Sequence, residues 1–222
     1  LTLRNAVSAE TSQGFRRRTC VWSLAVKQTV IVAHPNPDSF NLSVARTFAE
    51  AATSAGGEVI FRDLYRENFD PCLKQTEIPG CSNYALGEDV VRERELIGDS
   101  ELFVLVYPLW VNAPPAIMKG YIDRVFGYGF GFGPDGEGIT PKLSGRKLLS
   151  ITSSGAPRHW VVDTGALNAI RTLFDTHLAK VCGLAVVDHI HFGSITSTVT
   201  ASTVEASFDS VRKSANWLNR DN

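Results

Sequence analysis

The chain has 222 residues, of which 44% are hydrophobic and 20% charged. This composition excludes disorder and collagen-like structure, and a chain of this length buries roughly 70% of its unfolded surface without help from disulfides or a metal. With 22 basic and 23 acidic residues the net charge is −1, which leaves no electrostatic footprint for nucleic acid or an anionic membrane.

Residues 1–27 show no clear period of either kind. They carry the triplet Arg16-Arg-Arg18 and an apolar stretch, Val21 to Val26, too short for a secretory signal. They read as a leader, flexible or extraneous, ahead of one domain over 28–222. The remainder alternates strand and helix. Thr29–Ala33 is a β-branched run suited to a strand buried on both faces. After the loop His34–Asn41, residues Ser43–Ala55 form an Ala-rich helix stopped by Gly56-Gly57. A second strand covers 58–62, a long connection 66–85, and a charged helix 87–97. The third strand, 102–107, leads through a loop to a helix over 116–126, with Pro114 and Pro115 at its first turn. A glycine- and aromatic-rich loop occupies 127–145. A fourth strand spans 147–152, a helix 165–182, a fifth strand 184–192 and a last helix 203–219. This order predicts an α/β fold, a flavodoxin-like three-layer sandwich whose five-stranded parallel sheet runs 2-1-3-4-5.

No apolar run reaches the roughly 20 residues of a membrane-spanning helix. Cys20, Cys72, Cys81 and Cys182 form neither a C-x-x-C pair nor a zinc pattern. Reduced thiols, a cytoplasmic protein and no metal site are the corresponding expectations.

In an open parallel sheet the ligand sits beyond the carboxyl ends of the strands. The loop after the first strand has no G-x-G-x-x-G, and the chain has no P-loop. The first loop instead offers His34, Ser39, Asn41 and Ser43 leading into a helix, a donor set for a phosphate; Ser39 or Asn41 acting only as a cap is the alternative. After the third strand, Pro108-Leu-Trp-Val-Asn112 can wall a flat ring. After the fourth, Thr152-Ser-Ser-Gly155 offers hydroxyls and amides that favour developing negative charge. Together the three loops point to a phosphorylated planar cofactor, a flavin.

The segments His34–Asn41, Asp63-Leu-Tyr65, Tyr107-Pro-Leu-Trp110 and Pro115-Ala-Ile-Met-Lys-Gly-Tyr-Ile-Asp-Arg-Val-Phe126 resemble the flavodoxin-like NAD(P)H:quinone oxidoreductases. That group includes the DT-diaphorase type and the ancillary flavoproteins of potassium efflux systems, and the likeness covers about residues 28–219. It implies that His34, Ser39, Phe40 and Asn41 hold the flavin phosphate and ribityl chain. Pro108, Leu109, Trp110 and Val111 would line the ring, and Thr152, Ser153 and Gly155 would contact its pyrimidine side. His159 and Trp160 would be the catalytic pair beside the flavin, with His159 a candidate proton donor. Phe132 would wall the substrate site from the second subunit of a homodimer. His177, His189 and His191 read as structural.

The implied reaction is two-electron ping-pong transfer from NAD(P)H to a quinone, with FMN the expected cofactor and FAD the other option. An FMN azo- or nitroreductase, a regulatory flavoprotein subunit of a potassium-efflux transporter, and a one-electron carrier are the other readings. Val111-Asn112 departs from the family, which has aromatic residues there.

Overall fold

The computed structural model describes residues 25–136 and 138–219. The leader reading of residues 1–27 falls almost wholly outside them. Five parallel strands form the sheet: β1 (Lys27–Val32), β2 (Glu58–Asp63), β3 (Leu102–Pro108), β6 (Lys147–Ser153) and β7 (Ala185–Phe192). A separate antiparallel hairpin pairs β4 (Phe132–Asp135) with β5 (Gly138–Pro141). The central strands are the β-branched and leucine-rich runs, and every residue of β3 is buried. That is the expected character of a strand covered on both faces.

The sheet order is β2-β1-β3-β6-β7, not the expected 2-1-3-4-5 in chain numbering. The glycine-aromatic stretch is not a plain loop: its hairpin inserts two strands between the third and fourth of the sheet. Gly136, at φ 59°, supplies the left-handed turn, and Asp135-Gly136 was the signal for it.

Helices cover both faces. On one, α1 (Phe40–Ser54) and α7 (Ala201–Leu218) bury Leu42, Val44, Phe48, Val211 and Ala215 against Val30, Val104 and Ile151. On the other, α3 (Ala116–Val125) brings Met118, Tyr121 and Ile122 onto Ile31, Phe103 and Leu105. Beside α3 lies α2 (Glu88–Ile97). The helix expected over 165–182 is broken into pieces. A short α4 (Arg158–Asp163) precedes it, and Gly165, at φ 74°, separates α4 from α5 (Ala166–Ile170). A π-helical segment, Arg171–His177, then leads into α6 (Leu178–Cys182). Such wide turns recur at functional sites, and this one turns Asp175 inward.

The Lys119-Gly120…Asp123-Arg124 pattern is explained by packing. A Cβ on Gly120 would meet the Pro71 carbonyl oxygen at 2.2 Å, so only glycine lets the 66–85 connection cross α3. Arg124, whose side chain is 1% exposed, pairs with Glu77 at 2.6 Å and Asp89 at 2.7 Å. It also donates to the Asp70 carbonyl at 2.6 Å. The long connection is thereby tied to α2 and α3. The Arg124 guanidinium holds the Glu77 carboxyl down at about 2.

Cys72, Cys81 and Cys182 are free thiols; Cys20 lies outside the described residues.

Candidate active site

Three loops leave the carboxyl ends of β1, β3 and β6 side by side and enclose a cleft of about 510 Å³. Its walls include Ser39, Phe40 and Asn41 from the first loop, Pro108, Leu109 and Trp110 from the second, and Ser153, Ser154 and Gly155 from the third. His34 joins them, and so does a fourth loop after β7, including Ile195, Thr196 and Ser197. That fourth loop was not anticipated. Its Thr-Ser content was the available signal.

The first loop is preorganised. Ser39 is the N-cap of α1, in extended conformation, and its Oγ accepts the Leu42 N–H at 3.2 Å. The helix therefore begins at Phe40, three residues earlier than expected. The backbone N–H groups of its first turn point into the cleft end of the helix, where an anion is favoured. His34 Nδ1 accepts the Asn36 N–H at 3.1 Å, so a neutral ring carries its proton on Nε2. Burial and the Arg66 charge hold that ring below the ordinary histidine range. Arg66 itself clamps the loop from below, donating to the His34 carbonyl at 3.1 Å and the Pro35 carbonyl at 2.7 Å. Asp63 lies 3.8 Å from the Arg66 guanidinium, which gives the Asp63-Leu-Tyr65 segment its role. Asp38 sits exposed at the rim.

The loops are bonded to one another. Ser153 Oγ donates to Asn41 Oδ1 at 2.9 Å, and the Leu109 N–H to the Ser153 carbonyl at 2.7 Å. The His34 and Trp110 rings meet at 5.7 Å. Phe40 turns partly into the core side, against Phe192 and Phe208. Trp110 and Ala113 exchange both backbone hydrogen bonds at 3.0 Å around Val111-Asn112. Both of those residues have positive φ, 49° and 55°. Such a conformation is strained for a β-branched side chain. Asn112 Nδ2 secures the turn on the Ala166 carbonyl at 3.0 Å. Val111 is fully exposed and does not line the cleft.

Other expected site residues lie elsewhere. Thr152 is completely buried and its hydroxyl faces His189 and His191 rather than the cleft. His159 and Trp160 stand on α4, both exposed and outside the cleft lining. Phe132 lies in the hairpin against Tyr128. It lines a different, apolar groove of about 460 Å³ with Ile122, Phe126 and Phe174.

The donor set fits a flavin that carries a phosphate. Hydroxyls and helix-end amides suit a phosphate, and Trp110 and Pro108 suit a flat ring. No lysine or arginine is among the lining residues.

A family model described as the flavodoxin-like fold matches residues 27–215. An NAD(P)H oxidoreductase of Haemophilus influenzae is 32% identical over 167 residues, covering 75% of this chain and 83% of that protein. The chain belongs to the flavodoxin-like NAD(P)H:quinone oxidoreductase family. Within the family, NAD(P)H dehydrogenase [quinone] 1 of Rattus norvegicus is 28% identical over 186 residues, covering 74% of this chain and 68% of that one. The solved NAD(P)H:quinone oxidoreductase of Methanothermobacter marburgensis superposes with a TM-score of 0.77 at 28% identity. That match covers 87% of this chain and 99% of its own.

Proposed function

We propose that the chain is an NAD(P)H:quinone oxidoreductase that works through FMN held in the cleft by the loops after β1, β3 and β6. The observation that carries this reading is the bonding of those loops to each other around one phosphate-type and one ring-type wall. A bound flavin would supply two-electron redox chemistry between NAD(P)H and a quinone. The residues bind and orient. Ser39, the N–H groups of Phe40 and Asn41, and His34 Nε2–H hold the phosphate end. Pro108, Leu109 and Trp110 shape the ring wall. Ser153 and Gly155 sit at its polar edge, and the Asn41–Ser153 bond fixes their spacing. The rigid placement of donor and acceptor over one site is the protein's main contribution.

The reading takes residues from 28 onward as a single flavin-binding domain in the cytoplasm, where the nicotinamide donor is. No helix among the described residues is long and apolar enough to cross a membrane. It also takes the protein as a homodimer. Phe132 lines a groove that shares no residue with this chain's cleft, so its part in a substrate wall requires a second copy. On this reading His159 and Trp160 act from the cleft's outer margin.

The test is steady-state kinetics with NADPH and menadione, together with analysis of the cofactor released on heating. Parallel double-reciprocal lines and released FMN are expected. Released FAD would correct the cofactor; turnover of azo dyes with quinones inert would overturn the quinone assignment. Light scattering at half the predicted dimer mass would remove the second copy.

A further inference from the structure

A buried polar chain that the binding roles above leave unused runs from under the helices to the cleft. At its far end Asp175 accepts Ser150 Oγ at 2.6 Å, and its other oxygen lies 2.6 Å from His189 Nδ1. His189 Nε2 is 2.8 Å from Thr152 Oγ1, which is 2.9 Å from His191 Nδ1. His191 Nε2 is 3.1 Å from Ser154 Oγ, and Ser154 lines the cleft. The Ser154 hydroxyl also has the Ala156 carbonyl within reach at 2.9 Å. All five links are buried, none more than 7% exposed.

Each ring nitrogen and hydroxyl has one partner on each side, so the proton positions are linked. Two arrangements satisfy every contact from Asp175 to Ser154, and only the second also makes the bond from Ser154 to the Ala156 carbonyl. In the first, Asp175 is a carboxylate and all donors point away from the cleft. Ser154 donates to His191 Nε2, His191 Nδ1–H to Thr152, Thr152 to His189 Nε2, and His189 Nδ1–H to Asp175. In the second, the donors point toward the cleft. His189 Nε2–H donates to Thr152, Thr152 to His191 Nδ1, His191 Nε2–H to Ser154, and Ser154 to the Ala156 carbonyl. One further proton is then shared between His189 Nδ1 and Asp175. The second arrangement holds one proton more than the first.

We propose that Asp175, His189, Thr152, His191 and Ser154 form a one-proton store wired to the cleft, which supplies the proton a quinone needs in addition to hydride. This rests on the quinone-reductase reading. The quinone gains two electrons and one proton as a hydride equivalent and becomes a hydroquinone anion. The Ser154 O–H bond then breaks and a new O–H bond forms on that anion. His191 Nε2–H moves to Ser154, the Thr152 proton to His191 Nδ1, and His189 Nε2–H to Thr152. The chain is left in the first arrangement, with no change in its oxidation state. A proton taken up from bulk solvent and relayed by water in the cleft recharges it, leaving the water neutral.

The surroundings suit such a store. Tyr107 of β3 is buried beside Ser150 and Asp175, without a hydrogen-bond partner among the described residues. Burial and the Asp175 charge push the pKa of its hydroxyl well up, so it stays neutral. Arg158 of α4 faces His191. Burial, His189 and Arg158 together press His191 down to about 4, so it trades one ring proton for the other instead of holding both. The π-helical turn that carries Asp175 is what brings its carboxylate under β6 and β7.

The test is histidine 15N NMR on the protein without added flavin or nucleotide, across about pH 5 to 9. His191 should change from the Nε2–H to the Nδ1–H tautomer in the same one-proton step in which His189 and Asp175 lose theirs. A His191 tautomer that does not change in that range overturns the store. In Thr152→Val the His191 response should vanish while the His189 step persists, and Thr152→Ser should restore it. In turnover, Thr152→Val and Ser154→Ala should each slow menadione reduction per bound flavin about tenfold or more, with Thr152→Ser restoring most of the rate. Unchanged rates in both variants overturn the supply of protons while leaving the reductase standing. A wild type that holds no flavin and reduces no quinone fails the reductase, and the tautomer result still decides the store.

Discussion

Two buried polar networks lie on the same face of the sheet, and they end differently. The Arg124 cluster is closed: Glu77, Asp89 and the Asp70 carbonyl absorb the guanidinium, and none of these residues lines the cleft. The Asp175–Ser154 chain is open, with one terminus at the cleft wall. A closed network with every donor matched fastens segments of the fold. An open one, built from groups that can both give and take a proton, can pass that proton on. The contrast separates a structural ionisable cluster from a functional one without reference to exposure.

The largest effect expected from breaking this comparison is on the closed side. Arg124→Met leaves two carboxylates and a buried carbonyl without their partner and should lower unfolding free energy by about 3–5 kcal/mol, read from urea denaturation. A loss below about 1 kcal/mol would show that the cluster is not a fastening. Thr152→Val interrupts the open chain and should lose about 1–3 kcal/mol, with the larger consequence in proton delivery rather than in stability.

Acid should also distinguish the two networks. The Glu77 carboxyl is depressed to about 2 in the folded protein. Its stabilisation is thus complete above the usual carboxylate range and fades as pH falls toward about 2. His191 is depressed to about 4. The unfolded chain therefore takes up a proton there first, and stability declines from about pH 6.5 downward to about 4. Melting followed against pH should show the higher-pH decline disappear in His191→Gln and the lower one in Glu77→Gln. Smaller again, Ser39→Ala should cost about 1 kcal/mol of stability and weaken flavin binding, measured by fluorescence titration. The smallest change is His159→Ala, exposed on helix α4, which should stay within about 0.5 kcal/mol in stability. Turnover should stay unaltered, because the buried chain supplies the proton; a fall would return proton donation to His159.

Much of this was legible in the residues. Thr29–Ala33 and Leu102–Tyr107 announce central parallel strands because residues buried on both faces carry no polar alternation. Ser39 and Trp110 were legible as cleft residues because ligand loops follow from strand order alone. The hairpin was missed although Asp135-Gly136 marked it, since a loop dense in glycine and aromatic residues hides its period. His189 and His191 read as structural from the sequence for a different reason. Their joining to Thr152 depends on the β6–β7 register, which sets Thr152 beside His191. Asp175 joins them only through the wide turn of Arg171–His177. Long-range register and a non-standard helix leave no local pattern. Arg124 was visible within its motif, but its role depends on a segment some fifty residues earlier.

The central claim, that the three-loop cleft carries electrons from a nicotinamide to a quinone through a flavin, is tested most directly by an anaerobic spectral titration of the purified protein. The account predicts flavin absorption bands that bleach on one equivalent of NADPH and return on one equivalent of menadione. A protein that remains colourless with both FMN and FAD added, or whose bands NADPH leaves unchanged, would contradict it.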